Sequence, residues 1–269
     1  PSKRANCCRC WSTRRRWRRS PSVASGPEPL GRGTIPSPNL WRSPEVYELE
    51  NLASDRAGVI DAAIGALHPW AGARVLDVGC GSGFHLPQFA SYAAAPLGVE
   101  PHLPLAVAAR DRLRGSGIGV IAGSAEALPL ADASMDIAHA RWAYFFGPGC
   151  ERGLAEVDRV LRPGGLAVFV DNDVSAESTF SRWIAAAYPA YDPEGVERFW
   201  RRQGFETQRL VIEWTFERRE DLAAVIGIEF PPEAAARFVD ECTDRADRAG
   251  HTVDYAIALR WRHQNPTSA

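Results

Sequence analysis

The stretch Val75-Leu76-Asp77-Val78-Gly79-Cys80-Gly81-Ser82-Gly83 runs from a short apolar segment, broken by one acid, into a loop with glycine at every second position. Apolar residues that do not alternate with polar ones suit a strand buried on both faces, as in a parallel sheet. Glycines directly after such a strand allow a sharp turn and let a ligand approach the backbone closely, and the helix start beyond offers unpaired N–H groups. A dinucleotide loop of the form G-x-G-x-x-G would place its last glycine at position 84, which is Phe84 here. Asp77 adds a second constraint. Its carboxylate, two residues before the first glycine, would repel a pyrophosphate and attract a cationic amino group. The loop therefore suits a ligand with an amine and without phosphates.

Working outward, short apolar runs alternate with helical stretches. Strands are predicted at Arg74–Val78, Pro96–Glu100, Gly119–Ala122, Met135–Ala140 and Leu166–Val170, with helices near 84–94, 102–114 and 149–161. Upstream, Ser43-Pro44-Glu45 reads as a helix start, and a second helix is expected from Ser54-Asp55 until Pro69. Downstream, helices near 179–188, 193–203, 219–228 and 232–249 flank a long strand at Thr207–Phe216, and a last strand covers Val253–Trp261. The expected fold is α/β: a Rossmann-like, doubly wound, mostly parallel sheet with helices on both faces and an antiparallel C-terminal strand. Glu100, closing the second strand, is placed to take the two ribose hydroxyls of an adenosine.

The net charge of −2 conceals an uneven distribution. Eight of the 31 basic residues lie in the first twenty positions, leaving 23 against 33 acids in the rest. An acidic body is a poor general partner for nucleic acid or anionic lipid. Residues 1–40 combine this Arg-rich stretch with a Pro/Gly/Ser-rich one and show no helical or strand period, so they are expected to form a disordered tail before a single domain at 41–265. The single methionine is Met135, and the tail reads as upstream translated sequence or, by composition, as a transit segment. No run approaches the roughly 18 apolar residues of a membrane span. Cys80, Cys150 and Cys242 are isolated and Cys7, Cys8 and Cys10 lack metal-site spacing, so no metal is expected and a reducing cytoplasmic compartment fits.

Five segments in order resemble the class I S-adenosylmethionine-dependent methyltransferases, with most similarity to the small-molecule branch typified by ubiquinone- and menaquinone-pathway enzymes. They are VLDVGCGSG at 75–83, GVEP at 98–101, GSAEALP at 123–129, SMDI at 134–137 and LRPGG at 161–165. The resemblance covers about residues 70–172 and implies S-adenosylmethionine as cofactor. It implies that Asp77, Gly79, Cys80, Gly81, Ser82 and Gly83 hold the methionine moiety and that Glu100 and Pro101 hold the ribose. Ser124, Ala125 and Glu126 would border the adenine, and Arg141 and Trp142 would lie near the sulfonium. Asp136, at a strand start, is expected to be structural.

The acceptor is expected to be a small molecule, partly apolar or aromatic, bound by Trp41, Tyr47, Tyr144, Phe145, Asn172, Asp173 and Glu229. His85, His102 and His139 are candidate bases, but methyl transfer needs a base only for a nucleophile that still carries its proton, so no residue is singled out as catalytic. A cofactor-binding protein without transferase activity remains an alternative. A nucleic-acid methyltransferase fits less well, because Ala140-Arg141-Trp142-Ala143 stands where base-methylating relatives carry an Asn-Pro-Pro-Tyr-type motif. A nicotinamide oxidoreductase is disfavoured by Phe84.

Deleting residues 1–33 is expected to leave the melting temperature and cofactor binding unchanged at low and moderate salt. A tail without a periodic apolar face buries too little surface to offset the entropy of ordering it. A loss of several degrees on truncation would contradict this.

Overall fold

A computed structural model describes residues 38–92, 94–243 and 251–265. The expected tail at 1–37 and the cysteines at 7, 8 and 10 lie outside the described residues. Inside them, the structure begins earlier than the sequence suggests: Pro38–Arg42 forms a helical turn, α1, so the folded part includes residues 38–40 that had been assigned to the tail. Helix α2 follows at Pro44–Ala53 with Pro44 in its first turn, as Ser43-Pro44 implied, although the Ser43 hydroxyl makes no capping bond. Helix α3 spans Val59–Leu67. Its cap comes from four residues upstream, where the Asp55 carboxylate accepts from the backbone N–H groups of Val59 and Ile60 at 2.8 and 2.9 Å.

The alternating units then follow in order: β1 (Arg74–Val78), α4 (Leu86–Ser91), β2 (Ala95–Glu100), α5 (Leu103–Arg112), β3 (Gly119–Ala122), β4 (Met135–Arg141), α6 (Glu151–Val160) and β5 (Leu161–Asn172). The last third is α7 (Thr179–Ala187), α8 (Pro193–Arg202), β6 (Glu206–Phe216), α9 (Arg219–Glu229), α10 (Pro232–Thr243) and β7 (His251–His263). Strand β5 is longer than predicted. The Arg-Pro-Gly-Gly segment belongs to it, and it extends to Asn172, which carries that side chain to the end of the sheet.

One seven-stranded sheet has the order β3-β2-β1-β4-β5-β7-β6. The pairs among β1 to β5 are parallel, while β7 runs antiparallel between β5 and β6. The antiparallel strand at the C-terminus is thus as expected, and it is inserted ahead of β6 rather than added at the edge. Both faces are covered. Val75, Ile137, Val168 and Val170 point into a core shared with α3, α5, α7, α9 and α10. Their neighbours Leu76, Val78, Ala138, Ala140 and Phe169 point into a second core with α6 and α8. That explains the apolar run without alternation. The strand order turns back between β1 and β4, and such a switch point leaves a crevice at the carboxyl ends of the strands. The glycine loop opens there.

Asp136 is structural, as expected: its two oxygens accept from the Arg74 backbone N–H at 2.8 Å and from Arg162 at 2.9 Å. Among the described residues no helix is long and apolar enough to cross a membrane.

Asp171 is buried in the sheet, and its burial pushes the carboxyl up to about 7, against the pull of the Asn172 backbone N–H and the charge of Arg260. A carboxyl that holds its proton more tightly when folded lends its stability in acid and loses it as pH rises from about 4, the unfolded value, to about 7. Asp171→Asn keeps an oxygen for the Asn172 N–H and removes the titration. The variant should gain on the parent by up to a few kcal/mol between pH 4 and 8, and equilibrium unfolding across that range should show it. Parallel pH profiles would contradict the reading.

Candidate functional site

Strand β1 ends at Val78, and the next residues turn with positive φ at Gly79 (75°), Gly81 (55°) and Gly83 (74°). Each glycine has its own reason. A Cβ on Gly79 would lie 2.6 Å from the Ala143 Cβ, so this position has no room for a side chain. Gly81 lies under Leu40 of α1, 3.1 Å from where its Cβ would be. Gly83 faces away from the cavity and packs the loop onto Ala109 of α5 and Leu113 just past its end. Their N–H groups are not free donors. Gly79 donates to the Val99 carbonyl at 2.8 Å, Gly83 to the Cys80 carbonyl at 2.8 Å, and Gly81 to Glu100 Oε2 at 2.9 Å. The loop is a rigid, closely approachable surface, and α4 begins only at Leu86.

Two acids face this surface. Asp77 is 4% exposed, and its Oδ1 lies 2.8 Å from Nδ1 of His139. The parallel register of β1 and β4 sets Asp77 directly beside His139, so the sheet itself makes the pair. Glu100, equally buried, accepts from Gly81 N–H with one oxygen and from His102 N–H at 2.9 Å with the other. Burial raises its proton affinity, and those two N–H groups hold it back down. Burial likewise pushes the Cys80 thiol far up, so it is an inert wall group.

These groups line one cavity of about 310 Å³. Of the residues expected at a cofactor, Asp77, Gly79, Cys80, Gly81, Ser82, Glu100, Pro101, Ala125, Arg141 and Trp142 line it. Gly83, Ser124 and Glu126 do not. Ser124 is used in a bridge to Ala127, and Glu126 accepts from the Tyr144 hydroxyl at 3.0 Å. Of the residues expected at an acceptor, Trp41, Tyr47, Tyr144, Asn172 and Glu229 line the cavity. Phe145 and Asp173 do not. Phe145 is stacked on Phe169 at 4.0 Å in the core, so the aromatic exposed at this point is its neighbour Phe146. Asp173 is turned to Arg209 at 2.9 Å and to the backbone N–H of Ser175. Among the three histidines, His85 lines the cavity and burial, with Arg141 nearby, holds it well below its usual range, which keeps it neutral. His102 stacks on Trp41 at 4.5 Å, and His139 is the partner of Asp77.

Part of the lining is supplied by elements distant in sequence. Tyr47, Glu50 and Asn51 come from one face of α2, Glu229 from the end of α9, Asn172 from β5 and Tyr255 from β7. The Trp142 indole donates to Asn172 Oδ1 at 3.0 Å, the Tyr255 hydroxyl donates to the same oxygen, and the two rings stack at 5.7 Å. Arg141 pairs with Asp61 of α3 at 3.0 Å, both side chains nearly fully buried. Burial raises Glu50 well above the usual carboxylate range, and the charge of Glu229 adds to that; burial also brings Glu229 up to about 6. Withdrawal from water, then these two acids, raises the hydroxyls of Tyr47 and Tyr255 as well.

The sequence reading missed Asn39, Leu40, Glu50, Asn51, Phe84, Ala143, Phe146 and Tyr255 as lining residues. For Glu50 and Asn51 a signal existed, since they follow Tyr47 at helical spacings of three and four. Tyr255 carries no local signal at all.

Gly79 offers a direct check on the loop. In Gly79→Ala a β-carbon meets Ala143 and adopts a left-handed backbone that costs about 1–2 kcal/mol, so the melting temperature should fall by several degrees. Gly72→Ala, also at positive φ but with open space around it, isolates the backbone share of that loss. Equal losses in the two variants would show that the contact with Ala143 does not matter.

Comparison with known proteins agrees with this geometry. The family model described as "Methyltransferase domain" matches residues 76–169. The malonyl-[acyl-carrier protein] O-methyltransferase of Methylococcus capsulatus is 32% identical over 155 residues, 51% of this chain and 54% of that protein. An uncharacterized methyltransferase of Mycobacterium avium is 38% identical over 119 residues, 44% of this chain and 47% of that protein. The chain thus spans about half the length of the curated relatives it matches. Among solved structures, the YcgJ protein of Bacillus subtilis superposes with a TM-score of 0.52 at 20% identity, covering 77% of this chain and 97% of that one, a likeness of fold. Residues 76–169, with the glycine loop at the switch point of the sheet, thus match a methyltransferase domain, and over that part the chain is similar to the class I S-adenosylmethionine-dependent methyltransferases.

Proposed function

We propose that the protein transfers the methyl group of S-adenosylmethionine to a small, partly apolar or aromatic acceptor. The observation that carries the reading is that one cavity is lined by the glycine surface, Asp77 and Glu100 together with the aromatic side chains of Trp41, Tyr47, Trp142 and Tyr255. The residues fit the cofactor. Gly79 presents bare backbone to the cavity, and Arg141, which also lines it, has a buried Nε without a hydrogen-bond partner. Asp77, oriented by His139, would hold the amino group; Arg141 the carboxylate; Glu100 the ribose hydroxyls; Pro101 and Ala125 would flank the sugar and base. When bound, the cofactor supplies a methyl carbon made electrophilic by a positively charged sulfur. The chain's own part is to align the acceptor and keep water out, for which alignment alone contributes several kcal/mol.

The Methylococcus relative is named for transfer to a malonyl group on acyl-carrier protein. That acceptor does not carry over well, since Glu50 and Glu229 at the acceptor end would repel a carboxylate. Nucleic acid is disfavoured by the acidic body. Cys80 and Cys150 form no disulfide, which supports a reducing, cytoplasmic setting.

S-adenosylmethionine or S-adenosylhomocysteine at about 100 times its Kd should stabilise the protein by about 2.7 kcal/mol, seen as a melting shift, with no shift from NAD. Glu100→Ala should weaken cofactor binding at least tenfold in calorimetry, because hydrogen bonds to a charged group contribute about 1.5–3 kcal/mol each. Release of S-adenosylhomocysteine on adding acceptor separates a transferase from a protein that only binds. Stabilisation by NAD alone would overturn the assignment.

A further inference from the structure

The cavity holds a pair of carboxylates for which the cofactor has no use. Glu50 and Glu229 line it alongside the residues assigned to the cofactor's amine and ribose, but have no part in holding either. Glu50 is 8% exposed, and its Oε2 is buried without a hydrogen-bond partner. Glu229 Oε1 accepts from the Asn39 side-chain amide at 2.5 Å. Trp41, Tyr47, Trp142 and Tyr255 line the same cavity. Among the described residues the one cationic side chain in the lining is Arg141, which pairs with Asp61 through one Nη and is assigned to the cofactor's carboxylate.

Two buried acids in one cavity, where the charge of Glu229 adds to the proton affinity of Glu50, are costly unless a ligand compensates them. An anionic acceptor would add to the cost. A neutral alcohol would satisfy one carboxyl and leave the other. An ammonium group can donate to both, and aromatic faces around it add cation–π attraction. Building on the methyl-transfer reading, we propose that Glu50 and Glu229 are the recognition site for a cationic amine, and that the acceptor atom is nitrogen.

The pair then serves chemistry as well as binding. A protonated amine has no lone pair to offer. It passes one proton to a carboxylate of the pair; the freed nitrogen attacks the methyl carbon, and a C–N bond forms as the C–S bond breaks with its electron pair left on sulfur. The product is an N-methylammonium ion, and the proton rests on the glutamate. Charge balances at every stage.

The test uses two skeletons, each with three head groups: 2-phenylethylamine, 2-phenylethanol and phenylacetate, and butylamine, 1-butanol and butyrate. Binding is read by calorimetry on the full chain saturated with S-adenosylhomocysteine, and turnover by release of that product from S-adenosylmethionine. At least one amine should bind ten times more tightly than its matched alcohol, with no binding of the matched carboxylate. Glu50→Gln and Glu229→Gln, near-isosteric changes checked by melting temperature, should each lower amine affinity at least tenfold and leave S-adenosylhomocysteine affinity within twofold. Alcohols or carboxylates bound as well as amines, no amine bound at all, or amine affinity unchanged in both variants would overturn the proposal while leaving the methyl-transfer reading in place. Failure of the unsubstituted protein to bind S-adenosylhomocysteine would overturn that reading, and this one with it.

Discussion

A single buried carboxylate, that of Glu100, ties the end of β2 to the loop that follows β1. One oxygen accepts from Gly81 N–H and the other from His102 N–H, so the glycine turn and the start of α5 hang from one side chain. Charge-assisted bonds of this kind are strong, and here they offset part of the cost of taking the carboxylate out of water. Gly79 adds a second tether through the Val99 carbonyl. With the loop clamped in this way, its α-carbons form a fixed floor, and both the close approach of Ala143 and the seat of Leu40 follow from it.

The rest of the cavity is organised by charges that the sheet and helices bring together out of water. Asp77 and His139 meet because β1 and β4 are in parallel register, and Arg141 meets Asp61 because α3 packs beside the end of β4. A buried ion pair is weak evidence for stability, since desolvation consumes much of the Coulomb gain. Its value here is in position. It holds the Arg141 guanidinium in a set place on the cavity wall. Glu50 and Glu229 lack such a partner, which marks their end of the cavity as the part completed by a ligand.

Much of this was legible in the sequence, for physical reasons that differ from place to place. The strands β1, β2 and β4 were readable because apolar runs buried on both faces do not alternate. The loop was readable because only glycine tolerates its backbone angles at Gly79, Gly81 and Gly83. Helix α1 was not, because the five residues Pro38–Arg42 are too few to show a period; Leu40 packs on the loop and Asn39 bonds Glu229. Phe145 and Phe146 illustrate a further limit. Adjacent aromatics are equivalent in composition, and only the positive φ at Trp142 and Tyr144 decides which ring turns inward to Phe169 and which faces the cavity.

The sequence by itself determined the parallel α/β framework, the site of the glycine turn, and the acids Asp77 and Glu100 that face it. These follow from local rules, namely strand burial, backbone freedom at glycine and the distance from one strand end to the next. Tertiary structure alone decided that the loop's N–H groups are consumed internally, that Asp173 turns away to Arg209, and that Glu50, Glu229 and Tyr255 converge on one cavity. Those residues are separated by 26 to 205 positions. Their meeting depends on how α2, α9 and β7 pack across the ends of the sheet, and no short-range pattern encodes a contact made between elements so far apart in the chain.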